Sequence, residues 1–247
     1  LEGVMSMGDR MGGIAAGMLV SLALAALLSP WLTGMVVASL RAGRRLGMAE
    51  LLHGGLVEYG RMFRMLLWSI IPLGIALAIG GGVSVALHEQ VESAILASEV
   101  ARAGTIGMVV LAVLALFAHM TLEAGRGWLG ADAGLRSVLR AWWRGMTLVL
   151  RRPLASLVIY LGTAIVGYGL ALLFAWLRLD SDGAGIGATV LGVLLAQVVV
   201  ALIAYARIAR LRGFAILAGD AIASSKPATI AQPEEPAHIP ATEPATA

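Results

Sequence analysis

The sequence predicts an all-α, polytopic transmembrane helical bundle, and three observations carry that expectation. The 247 residues are 59% hydrophobic and only 13% charged, where soluble domains carry about 25% charged residues. Mean hydropathy is +0.88. The charges are gathered into short segments with long uncharged stretches between them, as expected of a chain whose solvent is lipid.

A bilayer core of about 30 Å takes roughly 20 apolar residues of helix, and a helix satisfies its own backbone groups in lipid. Five stretches meet that requirement without an Asp, Glu, Lys or Arg: about 13–40, 65–87, 104–122, 153–177 and 183–206. The first is longer than a straight span needs and contains Pro30. Proline removes a donor and crowds the preceding turn, so a kink is expected there, the alternative being a break that leaves 31–40 partly outside. Pro72 lies about two turns into the second span. It predicts a mild kink, or else a helix that starts only near Pro72. Pro153 opens its span, where a missing N–H costs least. Between the fourth and fifth spans lie only Arg178-Leu179-Asp180-Ser181-Asp182, which forces a tight antiparallel hairpin with Gly183 and Gly185 assisting the turn. Residues 1–223 form the transmembrane domain. Residues 224–247, with Pro227, Pro233, Pro236, Pro240 and Pro244 among Ala, Thr and Glu, form a disordered or PPII-like tail.

Arginine placement sets the expected orientation. Arg41, Arg44, Arg45, Arg61 and Arg64 follow the first span. Arg126, Arg136, Arg140, Arg144, Arg151 and Arg152 follow the third, and Arg207, Arg210, Arg212 and Lys226 follow the fifth. These segments hold fifteen of the 18 basic residues and lie on one side of a five-span chain. The expectation is a bacterial inner-membrane protein, multi-pass, with its C-terminus cytoplasmic and the N-terminus of this chain outside. That orientation also suggests an additional upstream span, six in the full-length protein, or a cleaved signal peptide.

The three arginine-rich exits read alike, from Leu40 to Glu50, from Leu122 to Asp132 and from Arg207 to Asp220. They suggest a repeated helical hairpin, or convergence of positive-inside loops on the same residues. Arg136, Arg140 and Arg144 are spaced four apart, on one helical face, with Leu135, Val138, Leu139, Trp142 and Met146 largely opposite. Such a helix lies in the headgroup plane, and Arg136, Arg140, Arg144, Arg151 and Arg152 are its candidate contacts to anionic lipid. Residues 48–64 read similarly, weakened by Gly54, Gly55 and Gly60. The basic groups belong to a membrane surface, so nucleic acid is not an expected partner despite a pI near 9.8.

Catalytic signatures are sparse. There are no cysteines, which removes thiol catalysis, disulfides and Cys-ligated metals. His53, His88, His119 and His238 fall in four separate segments, without a His-x-x-x-His pairing. Glu50-x-x-His53 and Glu235-x-x-His238 lie outside the spans, away from where a di-iron bundle would need them. Gly183-x-Gly185-x-Gly187 opens a span rather than following a strand, so it is no nucleotide fingerprint. No metal or cofactor is expected, and no enzyme activity. Intramembrane polar groups flag ligand pathways. His119, Tyr168 and Gln197 are therefore the candidate cavity residues, with Tyr160, Thr163 and Tyr205 as companions. Gly13-x-x-x-Gly17 and Gly80-Gly81-Gly82 are read as close helix packing.

The stretch Leu28-Ser-Pro-Trp-Leu-Thr-Gly34, Glu50-Leu-Leu-His-Gly-Gly55 and Tyr59-Gly-Arg-Met-Phe-Arg64 resembles a loose group of uncharacterised bacterial six-helix integral membrane proteins. That group is itself similar to the membrane domain of glycerophosphodiester phosphodiesterases, and the likeness runs over most of residues 10–220. The resemblance implies a six-helix bundle with amphipathic cytoplasmic elements and carries over no catalytic residue. The expected role is a non-enzymatic scaffold or accessory subunit, working through helix packing, membrane-lipid contact and partner membrane subunits. The alternative is a small-molecule or lipid transporter with a midplane polar cavity.

Overall fold

The helices do not stop where the uncharged stretches end. The computed structural model describes residues 2–90, 97–180 and 185–225. Among them are six helices: α1 (Glu2–Ala42), α2 (Met48–Gln90), α3 (Ala97–Ala131), α4 (Val138–Arg151), α5 (Pro153–Asp180) and α6 (Ile186–Ser225). All but α4 are long and apolar enough to cross a membrane. The chain is an all-α, multi-pass bundle, as its composition requires.

The four longest helices outrun a bilayer. The 43 residues of α2 extend about 65 Å at 1.5 Å per residue, twice the hydrocarbon thickness. Segments expected as loops are therefore helix. Residues 48–64 are the first half of α2 rather than a separate interfacial helix. The segment expected to begin a loop at Glu123 is the last turns of α3, where residues 120–127 are all buried. α3 is the axis of the arginine-rich end, packed by α1, α2, α4 and α6.

Neither internal proline ends its helix. α1 is unbroken through Pro30, and α2 through Pro72, so neither helix breaks or starts late at its proline. Tyr59 donates its hydroxyl to the Leu27 carbonyl at 3.2 Å, next to the Ala26 carbonyl that Pro30 leaves without its helical donor. Pro153 is the first residue of α5, as expected.

The turns have local causes. Gly43 has φ +61°, the left-handed conformation that closes a helix and that glycine adopts without steric cost. After it, Glu50 accepts from the Gly47 amide at 2.9 Å and pairs with Arg44 at 2.6 Å. That hydrogen-bonded carboxylate raises the Arg44 pKa above its ordinary value. Ser137 caps α4, its hydroxyl accepting from the Arg140 amide, as N-cap serines do. α5 continues through Arg178 to Asp180, so the α5–α6 connection starts later than expected. Gly185 has φ +141°, in keeping with a glycine-assisted turn, while Ser181, Asp182 and Gly183 lie outside the described residues. α6 runs to Ser225, past the domain boundary expected at 223, and the rest of the tail lies outside the described residues.

The three similar exits do not share a conformation. Leu40–Glu50 contains the α1–α2 turn, Leu122–Asp132 is helical through Ala131, and Arg207–Asp220 lies wholly inside α6. Nor do they share their packing: most of Leu40–Glu50 is exposed, whereas most of Leu122–Asp132 is buried. Cβ atoms built at Gly34 and Gly55 would meet the facing helix at 2.9 Å and 2.7 Å, on the Gly55 carbonyl and the Met35 side chain respectively. Gly80 touches Leu111 in the same way, whereas Gly17, Gly81 and Gly82 have nothing within 4 Å. The buried apolar clusters gather Val37, Met62, Leu129 and Leu135, Met120, Ala124, Tyr160 and Phe214, and Leu148 and Leu217. All belong to the arginine-rich half. In the opposite half, residues 15–25 of α1 and 186–205 of α6 contain no buried side chain.

Candidate functional site

Two polar regions stand out where the packed half meets the apolar half. The first is a cavity of about 350 Å³ between α1, α2, α3, α5 and α6. α3 presents His119, Glu123 and Arg126 to it, at i, i+4 and i+7 on one helical face. α6 adds Arg207 and Arg210, one turn apart. Ser29 from α1, Ser69 from α2 and Tyr168 from α5 complete the polar lining.

Three of the cavity's four charged groups are buried, Arg207 is half-buried, and the set is unequally matched. Glu123 is 2% exposed, Arg210 4% and Arg126 9%. Arg126 pairs with Glu123 through one carboxylate oxygen, while the Glu123 Oε2 atom is buried without a hydrogen-bond partner. Arg207 finds only neutral partners, Thr33 Oγ1 at 3.1 Å and Ser29 Oγ at 3.3 Å. The Arg210 guanidinium sits 4.8 Å over the Tyr160 ring, and its Nε is buried and unpartnered. His119 Nδ1 and the Tyr160 hydroxyl are 2.8 Å apart, which fixes the imidazole beside Glu123. Three guanidiniums thus face one carboxylate.

Of the residues expected in a cavity, His119 and Tyr168 do line this one. Gln197 does not: it is exposed on α6. The correction follows from the fold, because the apolar half of α6 buries no side chain and so builds no interior at that depth. Glu123, Arg126, Arg207 and Arg210 were missed because each was assigned to a loop. The signal was present in their spacing, which continues the helical face of the adjoining span.

The second region is α4, which lies against the end of α3. Its buried face is Ala141, Gly145, Leu148 and Val149. Gly145 meets Gly125 backbone to backbone, and Trp142 donates to Thr121 Oγ1 at 3.3 Å. Leu139, Trp143 and Leu150, at i, i+4 and i+11, are exposed and form a second, outward apolar stripe. Arg140, Arg144 and Arg151 form a third stripe beside it and are exposed. Arg144 is held by Asp132 at 3.0 Å and lies 5.3 Å over the Trp128 ring. Arg136 precedes the Ser137 cap, so it stands outside the helix rather than on the predicted face. Arg152 is the C-cap residue, half-buried at the bend into α5. An apolar groove of about 600 Å³ runs between α2 and α4, lined by Trp68, Ile71, Leu139, Trp142 and Trp143, with Arg140 and Arg144 at its edge.

Among the described residues, no group of three His, Asp or Glu side chains is placed to hold a metal ion. Comparison of the chain with protein-family models, with curated proteins and with solved structures finds no match.

Proposed function

We propose that this chain is a non-enzymatic scaffold or accessory subunit of the bacterial inner membrane, acting at the cytoplasmic leaflet through helix packing and lipid contact. Its arginine-rich end and C-terminus face the cytoplasm, and the N-terminus of this chain faces outward. The bias of basic residues toward one side supports that orientation. The likeness to six-helix bacterial membrane proteins, a resemblance over most of residues 10–220, stands with this reading.

The three-faced α4 carries the proposal. One stripe is committed to protein, one is apolar and outward, and one bears Arg140, Arg144 and Arg151. A helix of that kind belongs at a bilayer interface, with its apolar stripe among acyl chains and its guanidiniums at anionic headgroups. The neighbouring tryptophan groove supports the same placement, since indoles favour the interface.

The test is affinity purification of the full chain in mild detergent, with co-purifying proteins and lipids identified. The proposal expects a reproducible membrane-protein companion and enrichment of phosphatidylglycerol over zwitterionic lipid. Repeated recovery of a bare monomer with lipids in bulk proportion would sink it. A second reading, ligand handling, is favoured by the arginine cavity.

A further inference from the structure

We infer that the cavity between α1, α2, α3, α5 and α6 is a binding site for a phosphate group, held by Arg126, Arg207 and Arg210. This site is separate from the α4 surface and does not depend on the scaffold reading.

The argument begins with charge. Arg126, Arg207 and Arg210 line one cavity with Glu123 as the only carboxylate among its lining residues. That leaves an excess of two positive charges if His119 is neutral. Buried charges persist when they are paired and hydrogen-bonded. Here the pairing is incomplete: Arg207 reaches only hydroxyls, and Arg210 Nε is buried with no partner. An anion in the cavity supplies what both lack.

The type of anion follows from the donors. Guanidinium groups present planar forks that match oxyanions bidentately, and three of them arriving from two helices suit a group with several oxygens. A phosphate group offers two to four non-bridging oxygens, at a charge of minus one as a diester and up to about minus two as a monoester or free ion, so it offsets one or both of the excess charges. Ser29, Ser69 and Tyr168 add hydroxyl groups to the same lining. A volume of about 350 Å³ is that of on the order of ten waters, room for a phosphate and part of what it esterifies. The other lining residues are Leu66, Leu73, Leu122 and Ile203, so the wall beside the arginines is apolar. A phosphate bearing an apolar group, as in a phospholipid, and free phosphate share the recognition chemistry, and the experiment separates them.

The full chain, purified in detergent, is examined by native mass spectrometry after addition of phosphatidylglycerol, phosphatidylcholine or inorganic phosphate. Wild type is expected to retain one phosphate-bearing ligand per chain. Arg207→Gln and Arg210→Gln are expected to weaken retention at least tenfold, with Arg64→Gln, at an exposed arginine of α2 outside both sites, unchanged. Glu123→Gln removes the opposing carboxylate and is expected to tighten retention, a gain that misfolding cannot imitate. Arg207→Lys keeps the charge and is expected to retain more ligand than Arg207→Gln. Selective retention of phosphatidylglycerol identifies a lipid source, and a phosphate adduct that displaces lipid identifies the free anion. The inference is overturned if wild type holds neither, or if Arg207→Gln, Arg210→Gln and Glu123→Gln all bind as wild type does. Retention that falls only in Arg140→Gln also overturns it, and assigns the ligand to the α4 surface instead.

Discussion

Replacing Gly145 by alanine is expected to lower stability, although alanine is the better helix former. A Cβ at Gly145 would lie 2.3 Å from the Gly125 nitrogen and 2.8 Å from both the Gly125 Cα and the Thr121 carbonyl oxygen. All three are backbone atoms of a fully buried stretch of α3, so no side chain can rotate away and α4 must lift off. Overpacking a well-packed site costs about 1–3 kcal/mol, and contact with backbone places Gly145→Ala at or above the upper end. The alanine returns about 1 kcal/mol of helix propensity, leaving a net loss of about 2 kcal/mol. For a chain of this size, about 2–4 °C of melting temperature per kcal/mol makes that a fall of about 4–8 °C. Gly162→Ala is the control, because that glycine has nothing within 4 Å and should be unchanged or gain up to about 1 kcal/mol from propensity. Thermal unfolding in mild detergent, followed by tryptophan fluorescence, reads both. The reasoning fails if Gly145→Ala melts at or above wild type, or if Gly162→Ala proves the less stable of the two.

Glu58→Gln removes the carboxylate that accepts from Arg41 at 2.6 Å and faces Arg61 at 3.4 Å. Losing one partner of a largely buried pair costs about 3 kcal/mol or more, so the same melting assay should show one of its largest drops. Arg144→Gln breaks an ion pair with Asp132 that is 46% and 31% exposed, and the effect on melting should be small, under about 1 kcal/mol; a large drop would mean the Trp128 stacking dominates. Orientation is open to thiol labelling, because the chain has no cysteine of its own. An impermeant reagent applied to spheroplasts should label Gln90→Cys and spare Ala133→Cys until the membrane is permeabilised, and the opposite pattern would refute the proposed orientation.

The fold class was legible because composition and uncharged length are direct consequences of lipid as solvent. Helix ends were not. An absence of charge marks where a helix can sit in hydrocarbon, and it is silent about a helix that continues into a polar layer. α3 runs past Leu122 because Arg126 pairs with one carboxylate oxygen of Glu123 on a buried face, and because Gly125 and Gly127 admit α4 and α6 at close range. The same blindness hid four of the cavity's charged residues. His119 and Tyr168 stand out as polar groups within uncharged segments. Gln197 stands out in the same way, yet nothing in one helix's sequence says whether a third helix comes near it. Arg140 and Arg144 kept their predicted face, whereas Arg136 lost its place to the capping preference of Ser137.

The uneven packing has a physical reason that ties the two polar regions together. Apolar side chains gain nothing by leaving lipid for one another, so helix association inside hydrocarbon rests on close packing and polar contacts. In water the same burial is worth about 25 cal/mol per Å². The clusters around Val37, Met120 and Leu148 all lie in the arginine-rich half, which on the proposed placement meets headgroups and water, where burial is favourable. The opposite halves of α1 and α6 have no such incentive to close against neighbours. The arginine cavity therefore stands at the boundary between a half that must pack and a half that need not. α3 and α6 supply its charges, and Leu66, Leu73, Leu122 and Ile203 supply its apolar wall. A phosphate group with an acyl chain attached meets both conditions in one molecule. On the proposed orientation, the cytoplasmic leaflet supplies such groups at that depth.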